Sequence, residues 1–228
     1  GSGMSPGTLR QTITINLLLA LLLFGGAGTL AWPEGWAFLA LFNLGTQLTG
    51  VWLRRHDPGL LAERRKTPMD RGQKSRERIG MALVFLVLFG WLAFMAVDAR
   101  RFGWSAAPVW LEALGALLIA TAFYAWIGVL RANSFASARV RIQAERNQTV
   151  AMTGPYAVVR HPMYAYTLLF LFGIPLLLGS LWGIPGALIF IALLVPRTLG
   201  EEALLFDDLP GYRAYAERVR YRLVPGVW

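Results

Sequence analysis

The chain has 228 residues, of which 56% are hydrophobic and only 15% charged, a balance typical of an integral membrane protein rather than a soluble domain. Its net charge of +9 does not indicate nucleic-acid binding, because the arginines cluster beside apolar runs, as they do at cytoplasmic membrane flanks. The absence of cysteine excludes disulfides, thiolate metal sites and a cysteine nucleophile.

Six apolar segments are predicted to form membrane helices, the last two as a helical hairpin. They cover residues 13–31, 36–53, 79–97, 109–130, 164–178 and 183–199. Within the second segment, Asn43 and Gln47 lie four residues apart on one helix face, which favours hydrogen bonding between helices over ligand contact. Residues 1–3 precede Met4 and are interpreted as a cloning remnant. Residues 4–130 are interpreted as amino-terminal transmembrane helices, and residues 131–228 as the functional core.

Two polar segments between these helices are rich in arginine, and the first is predicted to be a loop. Residues 54–78 contain nine Lys or Arg against four Asp or Glu, and residues 131–161 contain five arginines against one glutamate. The positive-inside rule places both in the cytoplasm, and six crossings place the termini on the same side. We therefore expect an all-α, polytopic protein of a bacterial inner membrane, with its functional pocket facing the cytoplasm.

The loop of residues 153–164 joins ionisable and aromatic side chains to two prolines. Pro155 and Pro162 forbid a continuous helix there, so the sequence predicts a rigid polar loop beside a membrane segment. Because the hairpin that follows returns the chain to its starting level, Glu201 and Glu202 are expected to approach His161. Ionisable groups beside a bilayer favour a ligand site.

Several kinds of site are absent from the sequence. The two histidines stand in no metal-binding spacing, no glycine-rich phosphate loop occurs, and no GxSxG serine is present. Carboxylates, aromatic rings and backbone remain, and these suit a cationic ligand such as a sulfonium.

The motifs of the carboxy-terminal region follow one another in a specific order. They are Gly154-Pro155-Tyr156, Arg160-His161-Pro162-Met163-Tyr164, an apolar hairpin, Arg197, Glu201-Glu202, Gly211-Tyr212-Arg213-Ala214-Tyr215 and Arg222-Leu223-Val224-Pro225. This order closely resembles the integral-membrane isoprenylcysteine carboxyl methyltransferase family, with its phospholipid N-methyltransferase relatives. The resemblance covers about residues 131–228. One position departs from it: Tyr166 stands where family members often have glycine, which predicts added bulk near the site.

The resemblance implies S-adenosyl-L-methionine as the methyl donor and a lipophilic small molecule or prenylated substrate as the acceptor, with membrane lipids around the protein and no metal. It implies that Glu201 holds the amino or ribose part of the cofactor and that Arg197 orients the acceptor. It further implies a cofactor wall made of Gln148, Thr149, Val150, Ala151, Tyr156, His161, Pro162, Met163 and Tyr164.

The chemical nature of the methyl acceptor is less directly implied by the resemblance. A carboxylate, as in isoprenylcysteine, is already ionised and needs no base, and Arg197 could bind it through two parallel hydrogen bonds. An amine acceptor, as in phospholipid N-methylation, would need Glu202 as the base. Two rival readings are an NADPH-dependent enzyme resembling membrane sterol reductases, with Arg139, Arg141 or Arg160 at the 2′-phosphate, and a non-catalytic membrane protein that retains the fold.

Overall fold

The structure is a computed structural model that describes residues 5–66 and 75–228. No strand occurs among these residues, which confirms the predicted all-α class. Their α-helices are α1 (Pro6–Ala27), α2 (Pro33–His56), α3 (Pro58–Arg65), α4 (Ser75–Ala96), α5 (Val109–Ala132), α6 (Pro162–Leu178), α7 (Ile184–Asp208) and α8 (Tyr212–Arg218). The predicted remnant 1–3 and residues 67–74 of the first basic segment lie outside the described residues.

Each apolar segment predicted from the sequence coincides with a helix, but the structure corrects three details. Helix α1 ends at Ala27, so residues 28–31 of the first predicted segment lie outside it, because Gly28 adopts the left-handed conformation (φ 72°) and terminates the helix. Helix α7 continues to Asp208, so Glu201 and Glu202 lie on the helix and not after it. Helix α3 interrupts the first basic segment, which was predicted to be a loop. The helix begins there because Pro58 suits its first turn and the Asp57 carboxylate accepts a hydrogen bond from the N–H of Leu60 at 2.9 Å.

The apolar helices leave most of their surface uncovered, as lipid-facing helices do. Helices α1, α5 and α7, and α4 with its π-helical extension Val97–Phe102, are long and apolar enough to cross a bilayer. Leucines such as Leu21 and Leu86 expose 70% and 68% of their surface, an arrangement that suits hydrocarbon and not water. The chain is therefore an integral membrane protein. The count of six crossings and the cytoplasmic orientation stay predictions.

Close helix packing fixes the centre of the bundle. Helices α5 and α6 meet at Gly115 and Gly173, where a Cβ on Gly115 would lie 2.4 Å from the backbone nitrogen of Leu177. Helices α1 and α2 are joined by the side-chain amides of Asn16 and Asn43, which bond reciprocally at 2.7 and 2.5 Å. The interhelical reading of Asn43 is thus confirmed.

The polar segments of the protein lie together at one end of the helix bundle. Helices α1 and α6 begin there and α2, α5 and α7 end there, joined by α3, the segment 133–161 and the tail with α8. We call this the site end, since the residues singled out in the sequence lie there.

Candidate active site

A cavity of about 190 Å³ lies at the site end, below the segment 133–161. We call it the loop cavity. Its wall comes from four parts of the chain: Arg64 of α3, residues 133–151, the start of α6 with the turn before it, and the last turns of α7 with α8. Five arginines and a single carboxylate line it, so most of the charged side chains in its wall are cationic. The arginines are Arg64, Arg139, Arg141, Arg160 and Arg197, and the carboxylate is Glu201.

A chain of hydrogen bonds crosses this cavity from α7 to α6. The Tyr164 hydroxyl donates to Glu201 Oε2 at 2.5 Å and accepts from Arg197 Nε at 2.9 Å. Arg197 Nη2 also donates to the carbonyl of Ala138 at 2.9 Å. Arg197 and Glu201 share the cavity wall because they lie four residues apart on one face of α7. Glu201 Oε1 accepts no hydrogen bond from the described residues and stays open to a ligand.

The neighbouring Glu202 has a different environment. It is 2% exposed and lies between Arg160 and Arg222, whose Nε atoms are 2.5 Å from Oε1 and 2.6 Å from Oε2. The Arg160 contact is an ion pair without aligned hydrogen-bond geometry, whereas Arg222 donates a hydrogen bond. His161 Nε2 lies 3.4 Å from Oε1. We call these four residues the Glu202 cluster; Glu202 lies behind the loop cavity wall and does not line it.

The carboxy-terminal tail is fastened to the loop through the same cluster. The backbone N–H groups of Arg160 and His161 donate to the carbonyls of Tyr221 and Arg222, both at 2.9 Å. Arg160 Nη1 also reaches three carbonyls at the end of α8 and just after it, those of Ala216, Val219 and Arg220, at 3.2–3.4 Å. The Glu202 cluster therefore joins α7, the loop and the tail.

Tyr156 forms the floor of the loop cavity in a buried aromatic group. Its hydroxyl accepts from Asn133 Nδ2 at 2.9 Å, and its carbonyl accepts from the Tyr215 hydroxyl at 2.6 Å. Burial raises the pKa of Tyr156 to about 12 and raises the pKa of Tyr215 as well. Both phenols therefore stay neutral at physiological pH and act as hydrogen-bonding groups.

The outer wall is held by polar contacts to α3. Arg141 pairs with Glu63 and with Glu145, at 2.6 Å in each case, and Arg64 Nη1 donates to the carbonyl of Ala136 at 2.9 Å. The hydrogen bond and charge of Arg141 lower the pKa of Glu145 to about 2, so this pair stays ionised across the physiological range. Helix α3 thus fixes residues 136–145 over the cavity.

The structure brings most of the predicted site residues to one wall. Those lining the loop cavity are Gln148, Thr149, Val150, Ala151, Tyr156, His161, Met163, Tyr164, Arg197 and Glu201. Pro162 is buried at the first turn of α6 and does not line it. Tyr166, predicted to add bulk, packs instead against a buried cluster that includes Val129 and Tyr212. The roles of these residues stay predictions.

Sequence reasoning missed Arg64 altogether. It lies on α3, in a basic segment where a solvated charge is the ordinary reading, and no motif surrounds it. The wall residues Asn133 and Phe135 were also missed, since they precede the motif region by sequence yet fold over it.

A second and larger cavity, of about 1040 Å³, lies among α1, α2, α3, α5, α6 and α7. We call it the helix cavity. Three residues line both cavities and so mark their junction: Arg64, Met163 and Tyr164.

Comparison with protein families gives a match that agrees with this geometry. Residues 110–206, about two-fifths of the chain, match the family model described as phospholipid methyltransferase. The match runs from α5 to the end of α7 and so includes Tyr164, Arg197 and Glu201. This region is therefore similar to the phospholipid methyltransferase family.

The family match confirms the resemblance seen in the motifs, and it supports a membrane enzyme that transfers methyl groups to lipids. The match does not reach α1–α4 or the tail. A comparison with curated proteins gives no match. Among the described residues, no group of three or more His, Asp or Glu side chains is placed to hold a metal ion.

Proposed function

We propose that the protein is an S-adenosylmethionine-dependent methyltransferase that acts on a carboxylate carried by a lipophilic, isoprenylcysteine-like acceptor. The observation that carries this proposal is the loop cavity, in which the family-matched helices α6 and α7 present the Arg197–Tyr164–Glu201 hydrogen-bond chain.

The residues of the cavity fit the cofactor. Glu201 Oε1 is free to accept hydrogen bonds from an ammonium or a ribose hydroxyl of the cofactor. The rings of Tyr156, Tyr164 and Phe135 offer faces for the adenine and for the positive sulfur. When bound, the cofactor supplies a methyl group carried on a sulfonium. After transfer of the methyl group, the rest of the cofactor leaves as a neutral thioether.

The Glu202 cluster favours an acceptor that needs no base. Glu202 is the residue predicted to remove a proton from an amine, but Arg160 and Arg222 hold it in the carboxylate form behind the wall. His161 is directed at the same carboxylate. A carboxylate acceptor attacks without losing a proton, so alignment and exclusion of water are sufficient. Those effects can supply on the order of 7–11 kcal/mol.

The structure weighs against the two rival readings. Of the arginines predicted to hold a 2′-phosphate, Arg141 is paired with two glutamates and Arg160 is buried against Glu202. Tyr166, the one departure from the family pattern, does not line the loop cavity, so it gives no reason to expect a non-catalytic protein.

Phospholipid N-methylation is the second candidate, favoured by the family match. For that reaction Glu201 would be the carboxylate nearest the acceptor, and the amine would have to lose its proton to it or to water.

The test is titration calorimetry of the detergent-purified protein with S-adenosylhomocysteine and, separately, with NADPH. We expect micromolar binding of the first and none of the second. Glu201→Gln should weaken S-adenosylhomocysteine binding by roughly tenfold or more, because a hydrogen bond to a charged group contributes about 1.5–3 kcal/mol. Binding of NADPH alone would refute the proposal. A radiolabelled-methyl screen over prenylcysteine acids and phosphatidylethanolamine then separates carboxylate from amine acceptors.

A further inference from the structure

The junction of the two cavities carries a guanidinium that the predicted mechanism does not use. Arg64 enters it from α3, outside the region that matches the family. Met163 and Tyr164 complete the junction, and Tyr164 is the residue bonded to Glu201. A group held by Arg64 would therefore lie beside the proposed methyl-donor site.

Arg64 has hydrogen-bonding capacity to spare. A guanidinium has five N–H donors, and in the described residues Arg64 uses Nη1 alone, to the carbonyl of Ala136. No described carboxylate pairs with it, because the adjacent Glu63 is engaged by Lys66 and Arg141. The side chain is half-buried, so its charge is only partly screened by solvent. Such a group favours an anion.

The lining of the helix cavity changes from charged at the site end to uncharged deeper in the bundle. Three more arginines line it at the site end, Arg10, Arg54 and Arg65, none of which forms an ion pair with a described residue. Farther in, the wall is uncharged. It carries the rings of Phe123 and Phe170 and the amides of Asn16 and Asn43, which hydrogen-bond to each other. Phe170 lies eight residues into α6, a depth of roughly 12 Å at 1.5 Å per residue.

We propose that the helix cavity binds a lipid chain whose oxyanion, a carboxylate or a phosphate, is held by Arg64 at the junction. The chain extends along the aromatic interior, and the other arginines draw the anion towards the junction. The selection of an anionic lipid by Arg64 is independent of the proposed function. Only the further step, that this lipid is the methyl acceptor, rests on the proposed function. Arg197 lines the loop cavity alone and has two donors engaged, so Arg64 is the guanidinium better placed to meet a group arriving from the helix cavity.

The experiment uses cis-parinaric acid as a fluorescent lipid probe bound to the full-length protein in a neutral maltoside detergent. Energy transfer from tryptophan excites the bound probe, and a competitor that displaces the probe lowers this signal. Trp126 lines the helix cavity and is a suitable energy donor. The competitors are dodecanoate, monododecyl phosphate, and the uncharged methyl dodecanoate and dodecanol. We expect at least one anion to compete roughly tenfold better than the uncharged pair. The two anions distinguish a carboxylate-bearing lipid from a phosphate-bearing one.

Three variants locate the selectivity. Arg64→Gln should abolish the preference for the anion while leaving dodecanol competition unchanged. Arg64→Lys keeps the charge but loses the planar fork, and should retain part of the preference. Arg55→Gln is the matched control, since Arg55 is an exposed arginine in the last turn of α2 that lines neither cavity. It should behave as the wild type.

Two further readouts separate folding and cofactor effects. In the unmodified protein, dodecanoate or dodecyl phosphate should protect Arg64 from phenylglyoxal, read by peptide mass spectrometry, which requires no variant. Titration of the same preparations with S-adenosylhomocysteine tests the proposed function independently. Absent cofactor binding with intact anion selectivity would refute the function and leave this inference standing.

Other outcomes overturn the inference. Equal competition by dodecanol and the anions would show that the cavity does not select an oxyanion. An unchanged preference in Arg64→Gln would place the selectivity elsewhere. If Arg64→Gln instead weakened S-adenosylhomocysteine alone, Arg64 would belong to the cofactor site.

Discussion

Glu202→Gln is the change with the largest expected effect on stability. The substitution preserves the shape of the side chain but removes a charge that is 2% exposed. Arg160, itself 8% exposed, would keep its carbonyl contacts but lose the anion 2.5 Å from its Nε. Removing one partner of a buried ion pair typically costs about 3–5 kcal/mol, because the remaining charge is left uncompensated.

The two arginines do not contribute equally to this loss. The side chain of Arg222 is 29% exposed, so solvent screens its interaction with Glu202, and most of the effect should arise from Arg160. For a chain of this length, 3–5 kcal/mol corresponds to a fall in melting temperature of roughly 6–20 °C. We expect the tail to detach first, since Arg222 and Tyr221 hold it to the loop through the same cluster.

The assay heats the detergent-solubilised protein to a series of temperatures and measures the folded protein that remains by size-exclusion chromatography with fluorescence detection, which gives the melting temperature. Glu201→Gln is the matched control, one residue away on the same helix. Its described partner is the neutral Tyr164, so its melting temperature should stay close to wild type while cofactor binding weakens. Equal melting temperatures for the two variants would refute the view that Glu202 is an ion-pair centre for the fold and Glu201 the open ligand group.

Two further predictions test the cavity wall and the bundle. Tyr164→Phe removes the hydroxyl between Arg197 and Glu201, and should lower methyl transfer roughly tenfold, whereas Tyr166→Phe, outside the cavity, should leave turnover in a radiolabelled-methyl assay unchanged. Gly115→Val forces apart α5 and α6 and should cost about 1–3 kcal/mol, seen as a lower melting temperature. A Cβ at Gly128, on the same helix, meets nothing within 4 Å, so Gly128→Ala should be neutral or slightly stabilising, and equal losses at both glycines would contradict the packing argument.

Much of the fold follows from the sequence because membrane helices are local structures. A long apolar run satisfies its own backbone hydrogen bonds, so its position can be predicted without knowledge of its neighbours. The ends were less predictable. Helix α7 extends past its apolar part to Asp208, since polar residues continue a helix readily once it leaves the apolar layer.

The sequence also determined which motif residues belong together, because the loop, hairpin and glutamate pair follow one another in a recognisable order. It did not distinguish Glu201 from Glu202. Successive residues on a helix point about 100° apart, and only the rotation of α7 against the loop directs the first into the cavity and the second into the ion-pair cluster.

Arg64 shows what the tertiary structure alone decided. In sequence it is one of several arginines in a basic segment, almost a hundred residues before His161. Helix α3 folds back under residues 136–145 and places its guanidinium at the junction of the two cavities. The sequence by itself determined a membrane methyltransferase-like core and its motif. Which charges face the cavities depends on how helices distant in sequence rotate and pack, and local sequence does not encode that geometry.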